Sequence, residues 1–423
     1  MNKKRITKII IVMIVCMLCA GNMTFASEAS ESLHILALGD SIALGYGLED
    51  KEKEAYGAVL AKKAGAAFQN EGINGLRSED LLERLEAGEY DKQIADADII
   101  LLSIGSNDVL KNCVIQAAEA VGIHTEYKEI YPALQSRYLE QPADMTELLA
   151  DLRKVKTRLH ENQEVLNACD SFEEKFEQII GILKEKNPYA VIYADNVYNP
   201  YVAVNYTYGP IEVLNLAELT EPYIRRINEA FHSTSEEYTL VNTYSIFQKD
   251  GYTNVKADSL EDLEHFSLDP HPNREGHMQI AETIYEKLDL VPPKVKAVRT
   301  DTDIEITADE KVRFVEGKQL YLKSGEKSFS YELTGKEEFQ EGKEGRYTYT
   351  IPIEKFTKEE ELGYIKTYQI LLEKDALKDM GNNSCREEQL GSFKTGFPVV
   401  WCIVAGVVIL GIIEIFIFKK RRS

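Results

Sequence analysis

Short apolar runs separated by helical patterns constrain the fold of this chain more than any other feature. The runs occupy residues 33–38, 66–68, 97–105, 189–200 and 238–244. Helical patterns lie between them, for example at 55–65 and 78–88. Near-continuous apolar strands that alternate with helices are typical of a parallel sheet covered on both faces. We therefore predict an α/β fold in which ligands bind at the carboxyl ends of the strands.

The pattern changes near residues 290–298, where two prolines end the preceding helix and mark a domain boundary. Beyond them, short alternating strands with glycine turns predict a small β-sandwich at 293–396. The segments 368–370 and 376–382, together with Phe393, resemble the closing strands of bacterial Ig-like domains. That resemblance implies a spacer or a binding module, with cell-wall components as candidate partners.

Both ends of the chain carry membrane-targeting patterns. Residues 1–26 begin with a basic segment, continue with an apolar core and end in small residues, which predicts a secretory signal peptide. A retained N-terminal anchor is the alternative. Residues 397–418 form an apolar stretch long enough to span a bilayer, and the basic tail 419–423 follows. We expect a single-pass protein of the cell membrane with an extracellular ectodomain and one C-terminal transmembrane helix.

The connection at 111–187 is unusually long and charged, with apolar residues at helical spacings. We interpret about 111–170 as a helical insertion and the remainder as a crossover helix. A lid that shapes the substrate cleft is the alternative. Cys113 and Cys169 are the one pair in the large domain that could form a disulfide, and the sequence leaves their pairing open.

Ser41 follows the first apolar run, in Gly39-Asp40-Ser41. Serine is common in such turns, so it indicates a nucleophile only with a base, an orienting acid and oxyanion donors. His271 is the candidate base, because Pro270 and Pro272 fix the backbone and keep the imidazole in a loop. The other histidines lie in strand or helical patterns or lack such a frame: His34, His124, His160, His232, His265 and His277.

Four sequence blocks resemble those of the SGNH, or GDSL, hydrolase family in order and approximate spacing. They are Gly39-Asp40-Ser41-Ile42, Asn70-Glu71-Gly72-Ile73-Asn74-Gly75, Gly105-Ser106-Asn107-Asp108 and His271-Pro272-Asn273-x-x-Gly276. The resemblance covers about 32–290 apart from the insertion, and it implies a three-layer α/β/α, flavodoxin-like domain with a parallel sheet. It also implies that Ser41 is the nucleophile and His271 the base. The oxyanion hole would consist of the amides of Ser41 and Gly75 and the side chain of Asn107.

The residue types agree with these implied roles. Asn107 follows the apolar run 97–105, so its amide is expected at the same sheet edge as Ser41. A glycine at position 75 would let the backbone approach a substrate without a Cβ. Neutral amide donors can stabilise a transient oxyanion.

One position departs from the family pattern. The family's acid lies three residues before the histidine, where this chain has Leu268. Asp269, two residues before His271, is the predicted orienting acid. A backbone carbonyl is the alternative, because only the imidazole tautomer has to be fixed. Asp262 and His265 have the three-residue spacing but lack the Pro-Asn context.

We therefore expect an extracellular serine esterase that hydrolyses carboxylic esters through an acyl-enzyme, without a metal or an organic cofactor. Its substrate would be a small-molecule, lipid, cell-envelope or polysaccharide ester, and fold analogy does not choose among them. The shifted acid favours one alternative, a catalytically degenerate surface-binding or adhesion protein. The formal net charge of -21 argues against nucleic acid as a partner, because the chain has no excess of cations to neutralise phosphates.

Overall fold

The computed structural model describes residues 33–138, 145–202, 204–208, 211–232, 235–249, 251, 253–257, 269–342, 345–357 and 360–396. The predicted signal peptide, membrane span and basic tail lie outside these ranges, as do Asp262 and His265. Within the described ranges, no helix combines the length and the hydropathy that a bilayer span requires.

The elements are numbered in chain order. The helices are Ser41–Leu44 (α1), Lys51–Glu54 (α2), Tyr56–Ala64 (α3), Ser78–Glu86 (α4), Asp91–Asp96 (α5), Ser106–Ala120 (α6), Tyr127–Tyr138 (α7), Met145–Leu159 (α8), Gln163–Lys186 (α9), Leu216–Asn228 (α10), Thr243–Lys249 (α11), Arg274–Tyr285 (α12) and Glu354–Thr357 (α13). The strands are His34–Gly39 (β1), Ala67–Asn70 (β2), Ile99–Ser103 (β3), Val191–Asp195 (β4), Asn205–Tyr208 (β5), Ile211–Asn215 (β6), Thr239–Val241 (β7), Val295–Arg299 (β8), Asp303–Ala308 (β9), Val312–Phe314 (β10), Gln319–Ser324 (β11), Lys327–Glu332 (β12), Gln340–Glu341 (β13), Tyr347–Pro352 (β14), Thr367–Leu372 (β15), Leu377–Asp379 (β16) and Gln389–Lys394 (β17).

A parallel sheet forms the centre of the N-terminal part, with its described strands in the order β2-β1-β3-β4-β7. Numbered along the chain within this sheet, the order is 2-1-3-4-5, which is the order of flavodoxin-like folds. The predicted α/β class with a parallel sheet is therefore confirmed.

Helices cover both faces of this sheet, which explains why its strands read as continuous apolar runs. Leu36 and Leu38 of β1 face a buried cluster that includes residues of α4, α6, α9 and α10. Ile35 and Ala37, at the alternating positions, face a second cluster that includes residues of α3, α11 and α12. The strand therefore has no solvated face.

Two apolar runs are only partly strands. The run at 238–244 contains β7 but then enters α11 at Thr243. Asn242, immediately before α11, accepts a hydrogen bond from the backbone amide of Ser245 at 3.0 Å and caps the helix, and Asn196 after β4 accepts that of Tyr244 at 3.0 Å. A capped helix start competes with continued strand pairing, and periodicity did not reveal it. The sequence also did not predict the β5–β6 hairpin.

The long connection after β3 is helical. It comprises α6, α7, α8 and α9, so the segment interpreted as an insertion plus a crossover helix contains these four helices in its described residues. Phe172 and Phe176 of α9 are buried against the sheet cluster. Cys113 and Cys169 are buried free thiols and form no disulfide.

The C-terminal part is antiparallel. Its described residues form two four-stranded sheets, β12-β11-β15-β17 and β13-β14-β9-β8, and the pair β10-β16. Their inward-facing residues, among them Ile306, Leu322 and Ile370, form one buried cluster. The antiparallel sheets agree with the predicted β-rich segment, whereas its Ig-like identity stays a prediction.

Candidate active site

Ser41 begins α1 immediately after β1, at the carboxyl edge of the sheet. Asp40 fixes this turn in two ways: its backbone amide donates to Ser103 O at 2.8 Å, and its carboxylate accepts from the amide of Ile42 at 2.9 Å. The second bond is a helix N-cap. Ser41 is only 6% exposed, so little of the residue is in contact with solvent.

The structure brings Ser41, His271 and Asp269 together. The Ser41 hydroxyl lies 2.9 Å from His271 Nε2, although 230 positions separate the two residues. The other ring nitrogen, Nδ1, lies 2.5 Å from Asp269 Oδ1. With a hydrogen on Nδ1, the imidazole donates to Asp269 and its Nε2 accepts from Ser41, which is the arrangement of a serine–histidine–acid relay.

Asp269 reaches the imidazole despite its two-residue spacing. The same oxygen, Oδ1, also accepts the backbone amide of His271 at 3.1 Å, so that the carboxylate folds back over the residue it orients. The shifted acid was the feature that favoured a non-catalytic surface protein. Because the acid contacts the imidazole, it no longer argues for that alternative.

The Asp269 carboxyl is held in its ionised form. Burial alone would raise its pKa, but hydrogen bonds from the ring and backbone of His271, together with the positive charge of Lys256, bring the pKa below its ordinary value. An ionised acid stabilises the imidazolium that forms when the histidine accepts a proton.

The loop that carries His271 is tied down on both sides. Tyr198 donates its hydroxyl to the carbonyl of Pro270 at 2.6 Å. The backbone amide of Lys256 donates to His271 O at 3.0 Å, and that of Asn273 donates to Asn254 O at 2.9 Å. The predicted helix follows as α12, which begins at Arg274.

The predicted oxyanion donors Gly75 and Asn107 lie in a turn before α4 and in the first turn of α6, respectively. Gly75 has φ +76°, a left-handed conformation that favours glycine, and an added Cβ would contact nothing within 4 Å. The glycine is therefore required by its backbone angle and not by crowding from protein atoms. Asn107 donates one side-chain hydrogen to Leu76 O at 3.0 Å, and its amide has a second hydrogen. This bond links the two predicted donor segments.

Asp108 supports the same loop, a role that the sequence did not reveal. Its carboxylate accepts from the Ser78 backbone at 3.0 Å and from the Ser78 hydroxyl at 2.6 Å. These bonds attach the start of α4, which follows the Gly75 turn, to the start of α6, which contains Asn107. Asn70 similarly donates its side chain to Ala43 O at 3.0 Å, within α1.

A buried pair of carboxyls lies beneath the nucleophile. The Ser103 hydroxyl lies 2.8 Å from Asp195 Oδ2 and 3.4 Å from Asp40 Oδ1, and its single hydrogen can serve only one of them at a time. Burial raises the pKa of Asp40 to about 8 and that of Asp195 to about 7. The charge of Asp195 adds to the shift at Asp40. Asp195 was not predicted, because nothing local in the sequence indicates its position next to Asp40.

His277 is close to the site but is not part of the relay. It is fully buried in α12, and its Nδ1 accepts the backbone amide of Tyr56 at 3.3 Å. Burial lowers its pKa to about 3, so this imidazole is neutral in the ordinary pH range. His34 lies in β1, as its strand pattern predicts, and its side chain is exposed.

A cleft of about 490 Å³ adjoins the Gly75 turn. Its lining combines turn residues with charged side chains of α4 and the following loop: Ile73, Asn74, Gly75, Leu76, Asp80, Glu83, Arg84 and Glu89. Carboxylates and a guanidinium group are suited to bind hydroxyl and other polar groups. The cleft is therefore more suited to a polar ligand than to an acyl chain.

Two further residues, Tyr46 and Lys256, contact the histidine and the acid of the relay. Tyr46 is partly exposed and packs its ring against the imidazole of His271, with ring centres 4.8 Å apart. Lys256 places its ammonium nitrogen 3.7 Å from Asp269 Oδ2. Neither residue belongs to the sequence blocks, and both are identified only by their contacts in the structure.

The model of the GDSL-like lipase/acylhydrolase family matches residues 37–279. The uncharacterized protein YpmR of Bacillus subtilis strain 168 is 24% identical over 302 residues, covering 68% of this chain and 96% of that protein.

Solved structures similar to part of this chain include two lipolytic enzymes. Phospholipase A1 of Streptomyces albidoflavus NA297 is 14% identical with a TM-score of 0.38, covering 60% of this chain and 99% of its own. The lipase Lip_vut3 from a goat rumen metagenome is 18% identical with a TM-score of 0.37, covering 60% of this chain and 97% of its own.

Proposed function

The chain belongs to the GDSL-like lipase/acylhydrolase family and is a serine hydrolase of ester bonds, and from this premise we propose that Ser41, His271 and Asp269 are its catalytic residues. The observation that carries the proposal is the continuous relay, with 2.9 Å between serine and imidazole and 2.5 Å between imidazole and acid. These distances are within the range in which a general base can activate a nucleophile.

In the proposed reaction, Ser41 Oγ attacks the ester carbonyl carbon while His271 Nε2 takes the hydroxyl proton. The tetrahedral intermediate then collapses as His271 returns that proton to the leaving alcohol, and an acyl-serine remains. Water attacks the acyl-serine with its proton passing to His271. The second tetrahedral intermediate then collapses as the bond to Ser41 Oγ breaks and His271 returns the proton to that oxygen, which releases the carboxylic acid and restores the serine. Asp269 stays ionised throughout and keeps the Nδ1 hydrogen in place.

We propose that the oxyanion of each tetrahedral intermediate is bound by the backbone amides of Ser41 and Gly75 and by the Asn107 side chain. The bond from Asn107 to Leu76 O supports this role, because it holds the amide beside the Gly75 turn while leaving one hydrogen for a ligand. Loss of one such donor typically costs about 3 kcal/mol of transition-state stabilisation.

For the substrate, we propose an acyl or acetyl ester of a cell-envelope or polysaccharide alcohol, with lipid esters as the second class. The charged lining of the cleft beside Gly75 supports a polar alcohol group. A screen of the protein against acetylated glycans and fatty-acyl esters tests this choice. Turnover confined to long-chain esters would contradict it.

We further propose that the enzyme is exported and held at the cell membrane with its catalytic part outside. The basic-then-apolar pattern of 1–26 and the apolar stretch 397–418 with its basic tail support this topology. Protease added to intact cells should remove the catalytic part. Complete protection in cells that remain sealed would contradict the proposal.

The catalytic assignment is tested with Ser41→Ala in the full chain. The variant should lose hydrolysis of a short-chain nitrophenyl ester and covalent labelling by a fluorophosphonate, because both reactions need the serine oxygen. Ser245→Ala, which removes a serine from α11, serves as the matched control and should retain both activities. Undiminished turnover by Ser41→Ala would refute the assignment.

A further inference from the structure

We propose that Lys256 is a positioning residue of this active site, which holds the Asp269 carboxylate against His271 and ties it to the chain segment after the nucleophile. This inference rests on the proposed function, since it assigns a role within the same relay. Lys256 lies outside all four sequence blocks and is 15 positions before His271 in the sequence.

The two-residue spacing creates the need for such a residue. Asp269 uses a single oxygen, Oδ1, for both the ring and the backbone amide of His271. Rotation of the carboxyl group about its bond to Cβ would break both contacts together. Lys256 Nζ lies 3.7 Å from the other oxygen, Oδ2. An opposite charge at this position favours the orientation in which Oδ1 points to the imidazole.

The same ammonium group also binds the segment that follows α1. It donates to Gly47 O at 2.8 Å and lies 3.4 Å from Tyr46 O. The amide of Tyr46 in turn donates to the carbonyl of Ser41 at 2.9 Å. Lys256 therefore connects the acid, through one short segment, to the backbone of the nucleophile itself.

The backbone at Gly47 is shaped for this contact. Gly47 has φ +75°, and an added Cβ would lie 2.3 Å from Lys256 Nζ and 3.8 Å from Asp269 Oδ2. Any side chain here would displace the ammonium group. The absence of a Cβ at position 47 is thus what allows the lysine to reach both the carbonyls and the carboxylate.

The main chain of Lys256 is held independently of its side chain. Its amide donates to His271 O at 3.0 Å, and the neighbouring Val255 forms a bridge with Pro272. A substitution of the side chain therefore leaves this pairing intact. The side chain is only 21% exposed, so its charge is less screened by solvent than that of a surface lysine.

The test measures kcat and KM for a nitrophenyl ester and the rate of fluorophosphonate labelling in the full-length protein. Lys256→Met should lower kcat and the labelling rate by about 10-fold to 100-fold, as expected for a displaced catalytic group. KM should change little, because the lysine contacts the acid and not the substrate. Lys256→Gln keeps hydrogen-bond donors for the Tyr46 and Gly47 carbonyls but removes the charge, and its loss should be smaller.

A double-variant cycle separates positioning from a general effect on folding. In the Asp269→Asn background, Lys256→Met should lower the rate further by no more than about twofold, because the two residues act through one contact. An equally large loss in both backgrounds would overturn the proposal. Should Lys256→Met melt below the assay temperature, Lys256→Gln is carried through the same cycle and read in the same way.

Lys184→Met is the matched control. Lys184 is also half-buried and donates to a backbone carbonyl, Ala190 O at 2.8 Å, but it lies in α9 near the start of β4. Its rates should equal those of the wild type. Wild-type rates in Lys256→Met and Lys256→Gln would overturn the role of Lys256 alone. Absence of labelling in the wild type would instead contradict the proposed function.

Discussion

Asp40 and Asp195 are two buried carboxyls that take no direct part in the proposed reaction, although one adjoins the nucleophile. Both have folded-state pKa values above the unfolded value of 3.8, about 8 and about 7 respectively, because burial disfavours their charged forms. At pH values between 3.8 and about 7 to 8, the folded protein therefore binds more protons at these two groups than the unfolded chain does. The stabilisation from these protons is complete below about pH 4 and is lost as the pH rises through 7 and 8.

Asp195→Asn should reduce this pH dependence. The amide keeps an acceptor for the Ser103 hydroxyl but cannot ionise, so the variant should lose roughly 2 kcal/mol less stability than the wild type between pH 5 and pH 8. Urea denaturation at several pH values measures the difference. His277, whose pKa is lowered to about 3, acts in the opposite direction at lower pH, but it is present in both proteins and cancels.

The control for this experiment is Asp170→Asn. Asp170 is half-exposed and pairs with Arg226 at the surface, where an ion pair contributes little to stability. Its pH dependence should follow that of the wild type. Parallel curves for Asp195→Asn and the wild type would show that the buried pair does not carry the proton uptake.

At the scale of elements, the turn from β1 into α1 is the feature that places the nucleophile. Gly39 ends β1 with φ +125°, and an added Cβ would lie 1.8 Å from Ser103 O in β3. The neighbouring amide of Asp40 donates to that same oxygen. The end of β1 therefore lies too close to the backbone of β3 for any side chain at position 39. The hydrogen bond from Asp40 holds the chain there as it leaves the sheet and begins α1.

Gly39→Ala should consequently be among the most damaging single substitutions in the chain. The collision is with main-chain atoms of a central strand that cannot shift, so we expect a loss of more than about 4 kcal/mol in the free energy of unfolding, or insoluble protein. The free energy is measured by urea denaturation, and soluble yield is recorded beside it.

Gly65→Ala separates backbone strain from collision. Gly65 follows α3 and also has a positive φ, +68°, but an added Cβ would meet nothing within 4 Å. Strain alone costs about 1–2 kcal/mol. Equal losses for the two glycine variants would show that the close approach of β1 to β3 is not what requires Gly39.

At the scale of the whole molecule, the described antiparallel part contacts the edge of the parallel sheet opposite the active site. Asn382 donates to Asp98 O and to Tyr189 O, both at 2.9 Å. Lys378 pairs with the Asp98 carboxylate at 3.1 Å. Asp98 precedes β3 and Tyr189 precedes β4, so these contacts lie at the amino ends of strands whose carboxyl ends face Ser41.

Asn382→Ala should weaken this junction. The substitution removes three hydrogen bonds from a buried residue with φ +64°, because the side chain also accepts one from Arg313 at 2.7 Å. We expect a loss of about 2 kcal/mol. Calorimetry should then resolve two unfolding transitions, and the segment 290–294 should become more sensitive to protease. Turnover of a small nitrophenyl ester should not change, because strands of five or six residues, about 17–20 Å, separate the junction from Ser41.

Asn382→Gly is the companion variant, since it keeps the positive φ accessible and removes only the side chain. The temperatures of the two unfolding transitions should differ less in Asn382→Gly than in Asn382→Ala, because glycine adds no strain at this backbone angle. A single unchanged transition in both variants would show that these contacts do not couple the two parts.

Local information in the sequence determined the α/β class, the parallel sheet and the positions at which chemistry-bearing residues leave the strands. A strand buried on both faces has to be apolar at nearly every position, and this pattern is visible within five or six residues. The capped start of α11 and the β5–β6 hairpin were missed, because side-chain caps and register override short apolar patterns.

Tertiary structure alone decided how the site residues meet. Ser41 and His271 are 230 positions apart, and only packing brings an unpredicted lysine to the acid, or Asp195 to Asp40. Asp269 was named from the sequence, but whether a carboxylate two residues before a histidine can reach its ring depends on the backbone angles of one loop. A shift of a few tenths of an ångström is enough to make or break such contacts, and the positions of these atoms depend on the whole fold and not on the spacing of residues along the chain.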